Sequence, residues 1–176
     1  MKLRKINAVF SLISTALLMS HAISLAAWML SRGSIPKAAS AIPRGLTLFF
    51  AVHAIISIIL MITAHKDGHK TEGKPFPRLN AATIAQRVSG VLMLVFTVLH
   101  ILGATGVTQT PPVVHAIVPP LFFLLVLVHV AISTSKAFIT LGIGNARFVK
   151  WADVVIKGIC AATLIADVVG FYLFVC

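Results

Sequence analysis

Residues 45–65 read GLTLFFAVHAIISIILMITAH, 21 positions without one Asp, Glu, Lys or Arg. An α-helix rises about 1.5 Å per residue, so crossing a hydrocarbon core of about 30 Å takes roughly 20 apolar residues. This run has that length and composition, which makes the bilayer the solvent for which it is built. Four further segments repeat the pattern: residues 6–30 before it, and 84–107, 113–134 and 152–175 after it. The links are rich in breakers and charge. Residues 31–44 carry Gly33, Pro36 and Pro43; residues 65–82 carry Gly68, Gly73, Pro75 and Pro77 with most of the loop charge. The third link, Thr108–Pro112, is short enough to make helices three and four an antiparallel hairpin. Residues 141–150 lead into the last span. The expected architecture is all-α, with five transmembrane helices forming one domain over residues 1–176.

Composition agrees. The chain is 59% hydrophobic and 11% charged, with a mean hydropathy of +1.01. Four acids and fifteen bases cannot cover a soluble core of this size with charge. A net charge of +11 on a soluble fold would point to nucleic acid. Here the bases lie almost entirely between the apolar runs, where orientation signals and anionic lipid headgroups account for them, and no nucleic-acid partner is expected. An inward N-terminus puts Lys2, Arg4, Lys5, Lys66, Lys70, Lys74, Arg78, Arg87, Lys136, Arg147 and Lys150 on the cytoplasmic side. Only Arg32, Lys37 and Arg44 are then outside. Eleven against three predicts N-terminus in and C-terminus out, in the cell's inner (cytoplasmic) membrane. Basic Met1–Lys5, the apolar run and small Ala26–Ala27 have the outline of a secretory signal, but the run is long for one and is read as a true helix. Cys160 and Cys176 make no disulfide framework, zinc site or iron–sulfur motif. There is no C-x-x-C-H, so any haem is held by axial ligands and packing.

His21, His53, His100 and His129 fall one per helix in the first four spans. An ionisable residue within a span is costly, so each raises a functional question. One such imidazole alone reads as a neutral group hydrogen-bonded across the bundle. Four on four helices fit a narrower demand: bis-histidine ligation of two haems needs four imidazoles from neighbouring helices. Depth pairs them. His21 is fifteen residues past Ile6 and His100 sixteen past Ile84, both on outward helices, which places each about 22–24 Å from the cytoplasmic side. His129 is sixteen residues into an inward helix, and His53 is twelve before the inner end of its own, about 18 Å up. His21 therefore pairs with His100 for an outer b-type haem and His53 with His129 for an inner one, helix tilt absorbing the looser second match.

Ser20, Ala22, Ser24, Ala51, Ala54, Ser57, Gly90, Gly103 and Ala131 lie near these four and let a flat macrocycle approach the backbone, although small residues also pack membrane helices in general. Lys136 follows His129 by seven residues, about 10 Å nearer the cytoplasm, where a propionate reaches it. A snorkelling interfacial lysine is the alternative. His115 rivals His100 as a ligand. It precedes His129 by fourteen residues, close to a whole number of turns, which would stack two haems on one helix face. Its place at the membrane edge, and a break in helix register expected at Pro119-Pro120, favour His100. His65 and His69 belong to the polar inner loop.

Gln86-Arg87-Val88-Ser89-Gly90 followed by His100-Ile101-Leu102-Gly103 is similar to a Q-R-x-[ST]-G…H pattern. In order with it stand Leu48-Phe49-Phe50-Ala51-Val52-His53-Ala54-Ile55 and the stretch from Val128-His129 to Leu141-Gly142. Over residues 4–143 the chain resembles the five-helix, two-haem cytochrome b membrane anchor of succinate:quinone and quinol:fumarate reductases. The resemblance implies that His21, His53, His100 and His129 are the axial ligands of two b-type haems. It also implies a (mena)quinone site, and flavoprotein and iron–sulfur subunits docked on the basic cytoplasmic face. Such a subunit passes electrons between the iron–sulfur partner and membrane quinone. The chain itself carries no flavin, iron–sulfur or dicarboxylate motif, so it would be one component of an oxidoreductase. Redox chemistry would belong to haem and quinone, with the protein setting ligation, polarity and proton access.

The chain is short for that family, and residues 31–44 hold no acid where some two-haem members use a carboxylate to take up quinol protons. The intramembrane acid is Asp167, fifteen residues into helix five and towards the outer face. An acid at that depth is expensive, which makes Asp167 a candidate for proton relay or quinol contact, against a structural hydrogen bond. Ser89, which shares the His100 face, is a further candidate for the quinone site. Arg87 points elsewhere and is a candidate for quinone, a propionate or a phospholipid. Two other functions fit the same residues: a haem subunit of another quinone-linked membrane dehydrogenase, and a haem-free scaffold or small transporter whose histidines hydrogen-bond.

Overall fold

The computed structural model describes residues 2–33, 42–68, 81–104 and 112–175. Among them are five helices: α1 (Lys2–Leu30), α2 (Ile42–Gly68), α3 (Ala81–Ala104), α4 (Pro112–Leu141) and α5 (Ala146–Val175). Each holds a segment long and apolar enough to cross a membrane, so the chain is an all-α, multi-pass membrane protein. Helix is what hydrocarbon demands, because backbone groups there must satisfy one another within the segment.

The helices overrun the apolar spans, and two features differ from expectation. The α4–α5 link shrinks to residues 142–145. Gly142 takes a positive φ of 72°, its amide bonds Ile139 O and the Ile143 amide bonds Phe138 O, the paired bonds of a glycine-closed helix end. Asn145 Oδ1 then accepts the Phe148 amide at 2.9 Å and starts α5. The second difference is in α4, which is continuous through Pro119 and Pro120 rather than broken there. Each proline costs a backbone hydrogen bond, which membrane helices tolerate when their surroundings compensate.

Helix α1 packs against α2, α4 and α5; α4 packs also against α3 and α5. Among the described residues α2 has no comparable packing against α3, α4 or α5. The interior is made of small and hydroxylated residues, including Ala8, Ser11, Ser14, Ser89, Ser133 and Thr163, whereas Ile55, Val95, Val98 and Ile165 are exposed. Lipid tails solvate an isoleucine as well as a protein core does, so helices associate through close approach and hydrogen bonds instead. The hydroxyls turn back on their own helix: Ser133 donates to His129 O at 2.6 Å and Thr134 to Val130 O at 2.7 Å. Ser135 donates to Asp153, which also pairs with Lys157 at 2.5 Å, tying α5 to α4. Met93, Val126, Val130 and Cys160 form a small apolar core with Leu18, Met19, Phe50 and Phe122 around it. Phe50 and Met93 also face one cavity, and Met19, Phe122, Val126 and Cys160 face another, so this core is the partition between two sites.

Candidate functional site

The larger cavity, about 430 Å³, lies where α2 faces α3 and α4 without packing on them, with α1 behind. That volume lies within the range of small-molecule and cofactor sites, roughly 300–1,000 Å³. His53 of α2 and His129 of α4 both line it and interact electrostatically. The His129 ring is held by α3. Its Nδ1 lies 3.1 Å from the Gln86 carbonyl oxygen and 3.3 Å from Ser89 Oγ, and the Ser89 hydroxyl itself donates to the Gln86 carbonyl at 3.2 Å. A carbonyl only accepts, so the proton sits on Nδ1 and Nε2 keeps its lone pair, the arrangement typical of an imidazole that binds a metal. Gly90 makes room for the ring: a Cβ there would stand 2.9 Å from His129 Cε1. His53 is held less tightly. The Asn7 backbone lies beside its ring, yet its Nδ1 is buried with no hydrogen-bond partner. One turn along α2, Ser57 accepts a 3.1 Å bond from Asn7 Nδ2, fastening α2 to α1.

The cavity is polar at one end. Arg4, Arg87 and Lys136 line it there, and no acid is among its described lining residues. Lys136 Nζ donates to Gln86 Oε1 at 2.6 Å and to Thr83 Oγ1 at 3.4 Å. Gln86 therefore serves both ends, its carbonyl orienting His129 and its side chain holding Lys136. The remaining lining is largely apolar, with Phe50, Met61, Val91 and Leu94. Two imidazoles, apolar walls and three cations make a donor set that fits haem: the nitrogens for iron, the walls for the macrocycle, the cations for its propionates. The orphaned His53 Nδ1 and the recess at Gly90 are the features of this structure that support the fit.

His21 and His100 meet at the opposite side of the partition, close enough to interact electrostatically. Their pocket is only about 50 Å³ and is lined also by Phe122, Cys160, Thr163 and Asp167. That is space for about a water molecule, so a macrocycle between His21 and His100 would have to part the side chains that now close the pocket. Phe122 is among those side chains, its ring 5.8 Å from the His100 ring and stacked at 6.2 Å on Phe96. Asp167 is 2% exposed; its Oδ1 and the His21 Nδ1 are buried without partners.

The expected site residues thus fall into two groups. His53, His129, Lys136, Ser89 and Arg87 gather at the larger cavity, and His21, His100 and Asp167 at the smaller pocket. Ser89 acts on His129. Arg87, although its helical position turns away from Ser89, reaches the cavity and interacts electrostatically with Lys136. His69 and the side chains of His65 and His115 lie outside the described residues, and with them the choice between His100 and His115. Thr83, Arg4 and Asn7 join the site without a distinctive sequence signal, as ordinary polar residues near helix ends; Gln86 heads the Gln86–Gly90 stretch, whose pattern alone gives it no role, and half of what it does is done by its backbone. No protein family, curated protein or solved structure matches the chain.

Proposed function

We propose that the chain is a di-haem cytochrome b anchor subunit of succinate dehydrogenase or fumarate reductase type, passing electrons between an iron–sulfur partner and membrane quinone. It sits in the cell's inner membrane with its N-terminus inside, and flavoprotein and iron–sulfur subunits dock on the basic cytoplasmic face. The observation that carries this reading is the His129 imidazole, anchored through Nδ1 on the Gln86 carbonyl and facing His53 across a cavity with a cationic end. His53 and His129 would hold one haem, with Lys136, Arg4 and Arg87 at its propionates; His21 and His100 would hold the second. Bound haem supplies one-electron transfer at a potential set by its ligands and surroundings.

The chain's own residues do the rest. The Gln86 carbonyl makes His129 a better donor, and Ser89 and Gly90 fix the ring plane. Lys136 and its neighbours neutralise carboxylates that are costly within a bilayer. A haem between His21 and His100 would require the side chains lining that pocket, Phe122 among them, to move apart. Lys136→Met removes one charge-assisted contact of about 1.5–3 kcal/mol, so binding of added hemin at the larger cavity should weaken at least about tenfold by optical titration. Unaltered affinity would return Lys136 to a snorkelling role.

Asp167, which lines the same pocket as His21 and His100, would exchange a proton with quinol. Asp167→Asn should keep both haem spectra and slow haem reduction by menaquinol about tenfold or more, a loss of about 1.4 kcal/mol of transition-state stabilisation. An unchanged rate removes that role. The function as a whole is tested by affinity purification from the native membrane, followed by quinol reduction. Co-purifying flavoprotein and iron–sulfur subunits with dicarboxylate activity support it. Different catalytic partners would make the chain the haem subunit of another quinone-linked dehydrogenase.

A further inference from the structure

Three junctions around the larger cavity are packed: α1 with α2, α1 with α4, and α3 with α4. The fourth, between α2 and α3, has no comparable packing among the described residues. At that junction both helices supply residues that line the cavity and are nonetheless open to the outside. Ile58 and Met61 of α2 are 43% and 40% exposed, and Val91 of α3 is 58% exposed. A side chain that faces an interior space and the exterior together marks a mouth. All three lie inside the apolar spans Gly45–Thr63 and Ala81–Gly103, so this mouth opens to lipid; Arg4, Arg87 and Thr140, which also line the cavity and are exposed, leave its cationic end open as well. Its rim is apolar except for Arg87, one turn from Val91, which leads on to Lys136 and the cationic end.

We infer that the gap between α2 and α3, rimmed by Ile58, Met61 and Val91, is a lateral portal through which the cavity takes up a flat, anionic amphiphile from the hydrocarbon of the bilayer. The inference rests on the haem reading above, which makes that amphiphile haem. An apolar rim passes the body of such a ligand without desolvating anything polar, and Arg87 meets its charged edge. The occupant then supplies the packing that α2 lacks against α3 and α4, so loading stabilises the bundle.

The test uses the haem-loaded chain in phosphatidylcholine nanodiscs, in a His21→Ala background that leaves the larger cavity as the haem site. Ile58→Cys and Val91→Cys are introduced together and joined with a bis-maleimide; each single-cysteine variant, treated identically, controls for the native thiols. Transfer of haem to an excess soluble scavenger is followed in the Soret band. The portal predicts that bridging slows release about tenfold or more, and that Ile58→Ala, which widens the mouth, accelerates it severalfold with an unchanged spectrum. Release at the control rate in the bridged chain, or an unchanged rate in Ile58→Ala, overturns the portal while leaving the haem site standing. A purified chain that carries no haem at all sinks the underlying reading instead.

Discussion

His129→Ala is expected to abolish the haem of the larger cavity and leave the His21–His100 site loaded, cutting haem content from two per chain to one. The ring is not a free-standing ligand. It is clamped by Gln86 O at 3.1 Å and Ser89 Oγ at 3.3 Å, so its position is set by α3 as well as by its own helix. A structural histidine behaves differently. Interhelical hydrogen bonds in membranes average about 0.6 kcal/mol, so losing one would trim stability and leave the spectrum intact. Haem content measured on the variant and on His100→Ala separates the two roles, because each variant should empty a different site. Free imidazole should restore the His129→Ala spectrum by occupying the space the side chain vacates. A variant with full haem content would remove His129 from the ligand set.

Gly90→Val is expected to have the next largest effect, and its sign distinguishes site from scaffold. Within a helix, glycine is disfavoured against alanine by about 0.8–1 kcal/mol, so substitution by a better helix former ought to help. At Gly90 the added Cβ would meet His129 Cε1 at 2.9 Å, closer than carbon atoms approach, and Nδ1 at a tight 3.3 Å. The ring must tilt, which pulls Nδ1 off the Gln86 carbonyl and turns Nε2 away from its direction in the cavity. Gly90→Val should therefore lose haem affinity about 100-fold or more, an effect of about 2.7 kcal/mol, with helical content preserved by circular dichroism. Gly90→Ala should fall between it and the parent. Gly103 provides the control, since a Cβ there meets nothing within 4 Å, and Gly103→Ala should bind haem as the parent does. Equal affinity in all three variants would mean that the close approach of α3 to His129 has no bearing on the ligand.

Several of these features are legible in the chain itself. A run such as residues 45–65 admits one structural answer in a bilayer, and all five helices follow from that argument. Counting helical rise also brings His21 to His100 and His53 to His129, because depth in a membrane is a linear function of position along a helix. Lys136 is found by the same counting. Less accessible is anything that depends on which face α3 offers to α4. The bond from His129 to a backbone carbonyl at Gln86 leaves no trace in residue types. Arg87 has a long flexible side chain, so its helical position alone does not say where its charge goes. Helix α4 runs on through Pro119 and Pro120 because its surroundings, not its local preference, decide. The unequal size of the two sites arises from the side chains that close the smaller one, Phe122 among them, a packing choice invisible to periodicity.

Haem per chain, measured as the pyridine haemochrome against protein in freshly purified material and checked by a reduced-minus-oxidised spectrum, bears most directly on whether these imidazoles bind iron. Two haems with a sharp α band, falling to one in His129→Ala, is the predicted result. Folded protein with no haem would contradict it.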